Sequence, residues 1–419
     1  MTAQTRRRRL FAAGLALILL VTVLRAVTKP TGDDVGASLA ADSTDSTDST
    51  DTAATTDPTD TGDATATATE DVVPTGPIVA PPGPPTTDRT MALVKTISGD
   101  ISPKSVVASG RGQVFAENMM YNHSVTVYGS DGELQKTIPD TVDLAAFGFS
   151  NYSGGSYQGA PVEVAFTPDG AHAYVSNYSM YGKGFGPEGT DSCTASSKID
   201  NSFLYRIDTT TLVIDQVIEV GRVPKYVAVT PDGKSVLVSN WCSMDLSVVD
   251  TASAREVKRI PLGPHPRGIV VAADGSVAYV AIMGGTDVAK ISLPDLSVGW
   301  IRGVGAAPRH LVLTPDGGTL LATLNRDGKV AKIDTAAGKV VARVSTGSAP
   351  RSMAISTDGL SVYVVNYESS TVSKIRIADM KELQTLPTQH HPIGITYDAR
   401  TGNVWVACYV GTIMVFADT

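Results

Sequence analysis

Only 3 cysteines, 3 tryptophans and 6 histidines occur among 419 residues. The histidines show no His-x-His or Glu-x-x-His spacing, so the sequence offers no metal motif. It also lacks a G-x-S-x-G elbow, a supported Cys and His arrangement, and a glycine loop able to cradle phosphate. No catalytic residue, metal or cofactor is therefore expected. No stretch suggests an internal helix. A basic excess is missing too: the formal net charge is −8, and nothing global suggests nucleic acid.

Turn residues, by contrast, are plentiful, with 39 Gly and 24 Pro, and 42% hydrophobic residues are ample for a core. The chain also has a period. Pro224, Pro266, Pro308, Pro350 and Pro392 each follow the one before by 42 residues, without insertion or deletion. Every unit holds apolar alternation (SMAIS), a turn (TDGL) and three further alternating runs (SVYVVNY, TVSKIRI, ELQTLPT), hence four short strands. Such a sheet cannot bury both faces alone and must stack on its neighbours in a ring, which predicts an all-β propeller with four-stranded antiparallel blades. The runs VYVVNYESSTV at 362–372, VLVSNWCSMDLSVVDT at 236–251 and AYVSNYSM at 173–180 resemble the YVTN-type repeat. The resemblance spans about residues 91–419 and implies the propeller fold. Propellers of this kind serve as surface proteins, binding modules and enzyme domains, so it assigns no activity.

Residues 1–29 carry Arg6 to Arg9 before an uncharged run of 15 residues, Leu10 to Leu24, which reads as an export signal or membrane anchor. Small residues are missing just after the run, which favours an uncleaved anchor with the arginines inside; cleavage would instead give a secreted protein. Residues 30–90 hold 12 acidic residues against one basic, Arg89, and read as a disordered linker rich in Thr, Ser, Asp and Pro. Without these two segments, residues 91–419 carry a net charge of only −3.

Pro103 and Pro161 open two earlier units, so seven blades are expected. The last unit has three strands, and MALVKTIS at 91–98 is expected to supply its fourth, closing the ring. Two connections exceed the period, about 140–160 and 179–202, and both are expected to crown the same face. Cys193 and Cys242 fall on that face in neighbouring blades and are expected to form a disulfide. Cys408 alternates inward as a buried thiol.

The residue after the ruler proline is Lys104, Val162, Lys225, Arg267, Arg309, Arg351 and Ile393 in blades 1 to 7, so five of seven are basic. These cations are expected at the mouth of the central channel, where a carboxylate, phosphate or sulfate would relieve their repulsion. The bland reading is that each packs over a neighbouring blade. Asn118, Asn177, Asn240 and Asn366 end second strands and are expected to tie them to the next turn. Tyr178, Trp241 and Tyr367 follow three of them and are open either to ligand stacking or to packing between blades. His265 and His391 precede ruler prolines, which places them near the mouth, with His310 close by. Glu163 is the only acidic residue close to a ruler position, which gives little support to a paired-carboxylate mechanism.

Together these features predict an exported or membrane-tethered monomer that binds an anionic small molecule, a cell-wall glycan or an envelope protein. A lactonase- or lyase-like enzyme and a structural surface protein stand as alternatives.

Overall fold

The computed structural model describes residues 83–152, 155–178, 193–194 and 196–419. The expected anchor, and the linker as far as residue 82, lie outside the described residues. Among the described residues, no helix is long and apolar enough to cross a membrane.

The protein is a seven-bladed β-propeller. Each ruler proline opens the first strand of a four-stranded antiparallel sheet: Pro103–Ala108, Pro161–Phe166, Pro224–Val229, Pro266–Val271, Pro308–Leu313, Pro350–Ile355 and Pro392–Asp398. A proline has no N–H to give to a ladder, and the first residue of a strand is where that is tolerated. In the last blade the strand Met91–Ser98 pairs antiparallel with Thr412–Asp418, so the start of the folded chain completes the sheet made by its end.

The blades hold together because side chains alternate between two neighbours. Along Ser235–Asn240, Val236 and Val238 pack with blade 2, whereas Leu237 packs with blade 4. The same alternation gives seven apolar clusters, each shared by two consecutive blades. Cys408, fully buried in one of them, has its thiol pushed up to about 12 by burial.

The T-P-D-G turns have a common mechanism. Thr230 Oγ1 donates to Asp232 Oδ1 at 2.7 Å, and Asp232 accepts from the Lys234 N–H at 3.1 Å. Gly233, at φ 69°, takes the left-handed step that other residues resist. In blade 6 the corresponding Asp358 also accepts from the N–H and hydroxyl of Thr86, both at 2.8 Å. Residues 86–90, read from sequence as the end of the linker, are thus docked on the propeller. The seam is completed by Lys374, whose ammonium meets Asp418 at 2.6 Å and the Arg89 carbonyl at 2.9 Å, while the Tyr363 hydroxyl donates to the same carboxylate at 2.5 Å.

Candidate functional site

Just after each ruler proline the strand register slips. It skips one residue at Lys104, Val162, Lys225 and Ile393, and two residues at Arg267–Gly268, Arg309–His310 and Arg351–Ser352. Such bulges bend a strand and re-aim its side chains. Here they interrupt the alternation of every inner strand at the end that carries the five basic residues.

Three of the five expected cations converge there. Lys104 belongs to blade 1, and the position opposite it in a seven-membered ring falls between blades 4 and 5, which carry Arg267 and Arg309. The lysine is 7% exposed, Arg267 8% and Arg309 3%. Burial, and then the positive charges of Arg267, Arg309 and Lys225, push the Lys104 ammonium well below its usual pKa, with Glu163 opposing them. The other two cations sit on aromatic rings. Lys225, 2% exposed, lies 4.3 Å from the Tyr178 ring centre and 6.0 Å from that of Trp241. Arg351 lies 3.6 Å over Tyr367, whose ring also stacks on His391 at 4.2 Å. Arg351 therefore packs on a ring of its own blade, whereas the bland reading had each cation over a neighbouring one.

The aromatics and histidines expected at the mouth are committed to one another. His265 stacks on Trp241 at 4.2 Å and its Nε2 lies 3.4 Å from the Cys193 carbonyl oxygen. Both His265 and His391 have φ of 57°, a left-handed conformation that turns each ring onto the aromatic side chain of the preceding blade. Tyr178 is 2% exposed, so it serves as the platform for Lys225 and offers no face for stacking on a ligand. The motif asparagines act as ties: Asn240 Nδ2 donates to Asp245 Oδ1 and Ser247 Oγ, both at 2.8 Å, and Asn366 Nδ2 to Ser373 Oγ at 3.0 Å.

Cys193 and Cys242 are joined, with Cα atoms 5.6 Å apart. The bridge pins the returning end of the second insertion beside the mouth; residues 179–192 of that insertion lie outside the described residues. The first insertion departs from its expected place. Instead of crowning the face, Leu144, Phe149 and Tyr157 pack along blade 2 against Phe203, Tyr205 and Val217. Six aromatic or aliphatic side chains in one loop, Val142, Leu144, Phe147, Phe149, Tyr152 and Tyr157, have more to gain from burial on a sheet than from standing in water.

Below the cations, six of the seven residues two places after a ruler proline, namely Ser105, Glu163, Tyr226, His310, Ser352 and Gly394, line a cavity of about 290 Å³. Its polar groups form an ordered relay. The Met353 N–H donates to His310 Nδ1 at 3.3 Å, which leaves the imidazole proton on Nε2, 2.9 Å from the Tyr226 oxygen. Burial and the cations Arg309, Arg267 and Lys104 bring His310 down to about 3, so the ring stays neutral and donates. The Tyr226 oxygen thus accepts, and its own O–H remains to donate into the cavity; burial raises that phenol far above its ordinary pKa. On the opposite wall Ser105 Oγ donates to Glu117 Oε2, while Glu117 Oε1 has no partner among the described residues. Burial lifts Glu117 well above the usual carboxylate range and raises Glu163 to about 7, despite Lys104, Arg267 and Arg309 beside Glu163.

Sequence reasoning noted Glu163 and His310 singly and missed Tyr226, Ser105 and Glu117. The available signal was the second position of the period, which reads Ser, Glu, Tyr, Gly, His, Ser, Gly and is polar or small throughout a ring of otherwise apolar strands. Elsewhere, His172, Asp208 and Asp215 come close enough to hold a metal ion. Their oxygens are committed, however: Asp215 is gripped by Arg206 at 2.8 and 2.9 Å, and Asp208 Oδ1 accepts three hydrogen bonds from Thr210 and Thr211.

Residues 300–409 match the family model for the cytochrome D1 heme domain, itself a propeller fold. This covers about a quarter of the chain, and the YVTN repeat family is not confirmed by it. No curated protein matches. Among solved structures, the chain is similar to hydrazine synthase of Kuenenia stuttgartiensis at 18% identity and a TM-score of 0.59, over 77% of this chain and 97% of that one. With 1742 solved chains matching, the fold is too widespread to assign an activity. What these likenesses share with the protein is the propeller.

Proposed function

We propose that the protein is an anion-binding propeller whose site is the channel mouth and the cavity beneath it. The observation carrying this reading is the convergence of Lys104, Arg267 and Arg309 from opposite sides of the ring. Like charges gathered out of water repel strongly, and an anion between them relieves that repulsion while accepting forked hydrogen bonds from guanidinium groups. The Tyr226 hydroxyl adds a neutral donor held in orientation by His310. For the enzyme alternative, the same relay is unfavourable: a neutral imidazole whose Nε2 already carries a proton is a donor, so it cannot take a proton there.

The family match raises the question of a haem. The channel residues do not fit one. Both nitrogens of His310 are engaged. At Gly268 and Gly394 the neighbouring inner strands approach so closely that a Cβ would meet backbone atoms at 2.8 and 2.7 Å. No step is derived through such a group.

The propeller works outside the cytoplasm, tethered through residues 1–29 and spaced from the membrane by the acidic linker. The arginine-flanked apolar run and the Cys193–Cys242 bridge support this reading. Its ligand is a free anion or an anionic group on an envelope glycan. Calorimetric titration of the full chain with acetate, malonate and sulfate tests the site. Binding that weakens with salt, and that falls about tenfold in Arg267→Ala or Arg309→Ala, is expected. Absence of heat with all three anions would overturn the reading.

A further inference from the structure

We propose that the cavity below the cations takes a small carboxylate or comparable oxyanion together with a proton, which is taken up by Glu163 in the cluster it forms with Ser105 and Glu117. The proposal rests on the anion-binding reading above and adds the ligand's size and its linkage to pH.

The cavity sets the size. At about 290 Å³ it lies at the small end of ligand pockets, suited to a ligand of a few heavy atoms. Its wall sets the chemistry. Glu163 of blade 2 lines the cavity with Ser105 of blade 1, Tyr226 of blade 3 and His310 of blade 5; Ser105 also bonds Glu117, and the charges of Lys104, Arg267 and Arg309 act on Glu163 from blades 1, 4 and 5. The cations favour an ionised Glu163, and its negative charge opposes the lowering of Lys104. An anion in the cavity competes for that role. It brings a second negative charge beside the carboxylate, and two negative charges in a poorly solvated space favour protonation of one of them.

Glu163 is poised for this change. Burial has already raised it to about 7, so one further negative neighbour carries it across neutral pH. Glu117 is the less suitable acceptor: it does not line the cavity, it is fully buried with Oε1 unpartnered among the described residues, and burial already favours its neutral form. The balance is simple. One proton leaves the solvent and joins a Glu163 carboxyl oxygen, the anion keeps its charge, and the cations exchange one carboxylate partner for another. The neutral carboxyl then adds an O–H donor beside that of Tyr226. By linkage, affinity falls as pH rises above about 7, approaching about tenfold per pH unit while the free protein is ionised at Glu163 and the complex is not.

The test is isothermal titration calorimetry of the full chain with acetate, just above neutral pH, in two buffers that differ in ionisation enthalpy. The expected result is a binding heat that differs between buffers and corresponds to uptake of between about half and one proton per acetate. In Glu163→Gln, acetate binding becomes independent of buffer and pH. In Tyr226→Phe the affinity drops about tenfold while the proton count persists. Acetate binding with equal heats in both buffers would overturn the proton linkage and leave the anion site standing. No heat with acetate, malonate or sulfate would overturn both.

Discussion

Among the buried lysines of this propeller, two, Lys374 and Lys104, have contrasting surroundings. Lys374, fully buried, touches Asp418 at 2.6 Å, the Arg89 carbonyl at 2.9 Å and the face of Tyr363. Burial lowers its pKa, and the hydrogen bond to Asp418 opposes that shift. Lys104 is nearly as buried, but its neighbours are Arg267, Arg309 and Lys225, with Glu163 as the acidic counterweight. The first lysine is neutralised by the fold and closes the seam between the last two blades. The second sits in a field of its own sign, an arrangement that favours a negative ligand. Burial of a charge alone therefore does not distinguish a structural role from a functional one; the sign of the surrounding charges does.

The largest expected effect comes from breaking the structural member of the pair. Lys374→Met leaves the Asp418 carboxylate buried beside Tyr363 without its cation, and denaturant unfolding should show a loss of about 3–5 kcal/mol. A loss below about 1 kcal/mol would mean that the seam does not depend on this pair.

A second test reads the pH dependence of stability. Glu163 and Asp140 are both raised to about 7 by burial, from ordinary values of 4.5 and 3.8. The native state then binds more protons than the unfolded one. The stability they contribute is complete below about pH 4 and is lost as pH rises through 7, with a slope of at most about 1.4 kcal/mol per pH unit for each group. His310 acts in the opposite sense: lowered to about 3 from 6.5, it contributes stability above 6.5 that is lost as pH falls toward 3. Thermal melts across this range should therefore decline on both sides, and Glu163→Gln should flatten the alkaline limb. An unchanged alkaline limb in that variant would break the assignment.

Lys104→Met sharpens the contrast from the other side. Removing a cation from among cations should leave stability unchanged or raise it by about 1–2 kcal/mol, while anion affinity falls. A destabilisation like that of Lys374→Met would erase the distinction between the two lysines. The smallest effect is expected for Arg351→Ala, because that guanidinium rests on Tyr367; affinity should change about twofold, against about tenfold for Arg309→Ala.

Much of the architecture was legible in the residues. The constant period located every inner strand, the three-strand final unit called for Met91–Ser98, and the two cysteines on one face of neighbouring blades were found joined. These are local or translational properties, repeated from blade to blade, and a ruler proline suffices to count them. The site was legible only as a set of candidates. Lys104 and Arg309 are about 200 residues apart and become neighbours across the axis only because seven blades close on themselves.

The sequence by itself determined the number of blades, their strand content, the closure and the basic character of one position in the period, since each follows from alternation and spacing along the chain. The tertiary structure alone decided which cations meet and which are turned aside, and that Tyr226, His310 and Glu163 share one cavity. It also placed the first insertion along blade 2 and docked residues 86–90 as part of the seam. The physical reason is that distances across a ring depend on its curvature and on the bulge after each ruler proline, and a repeat carries neither in its spacing.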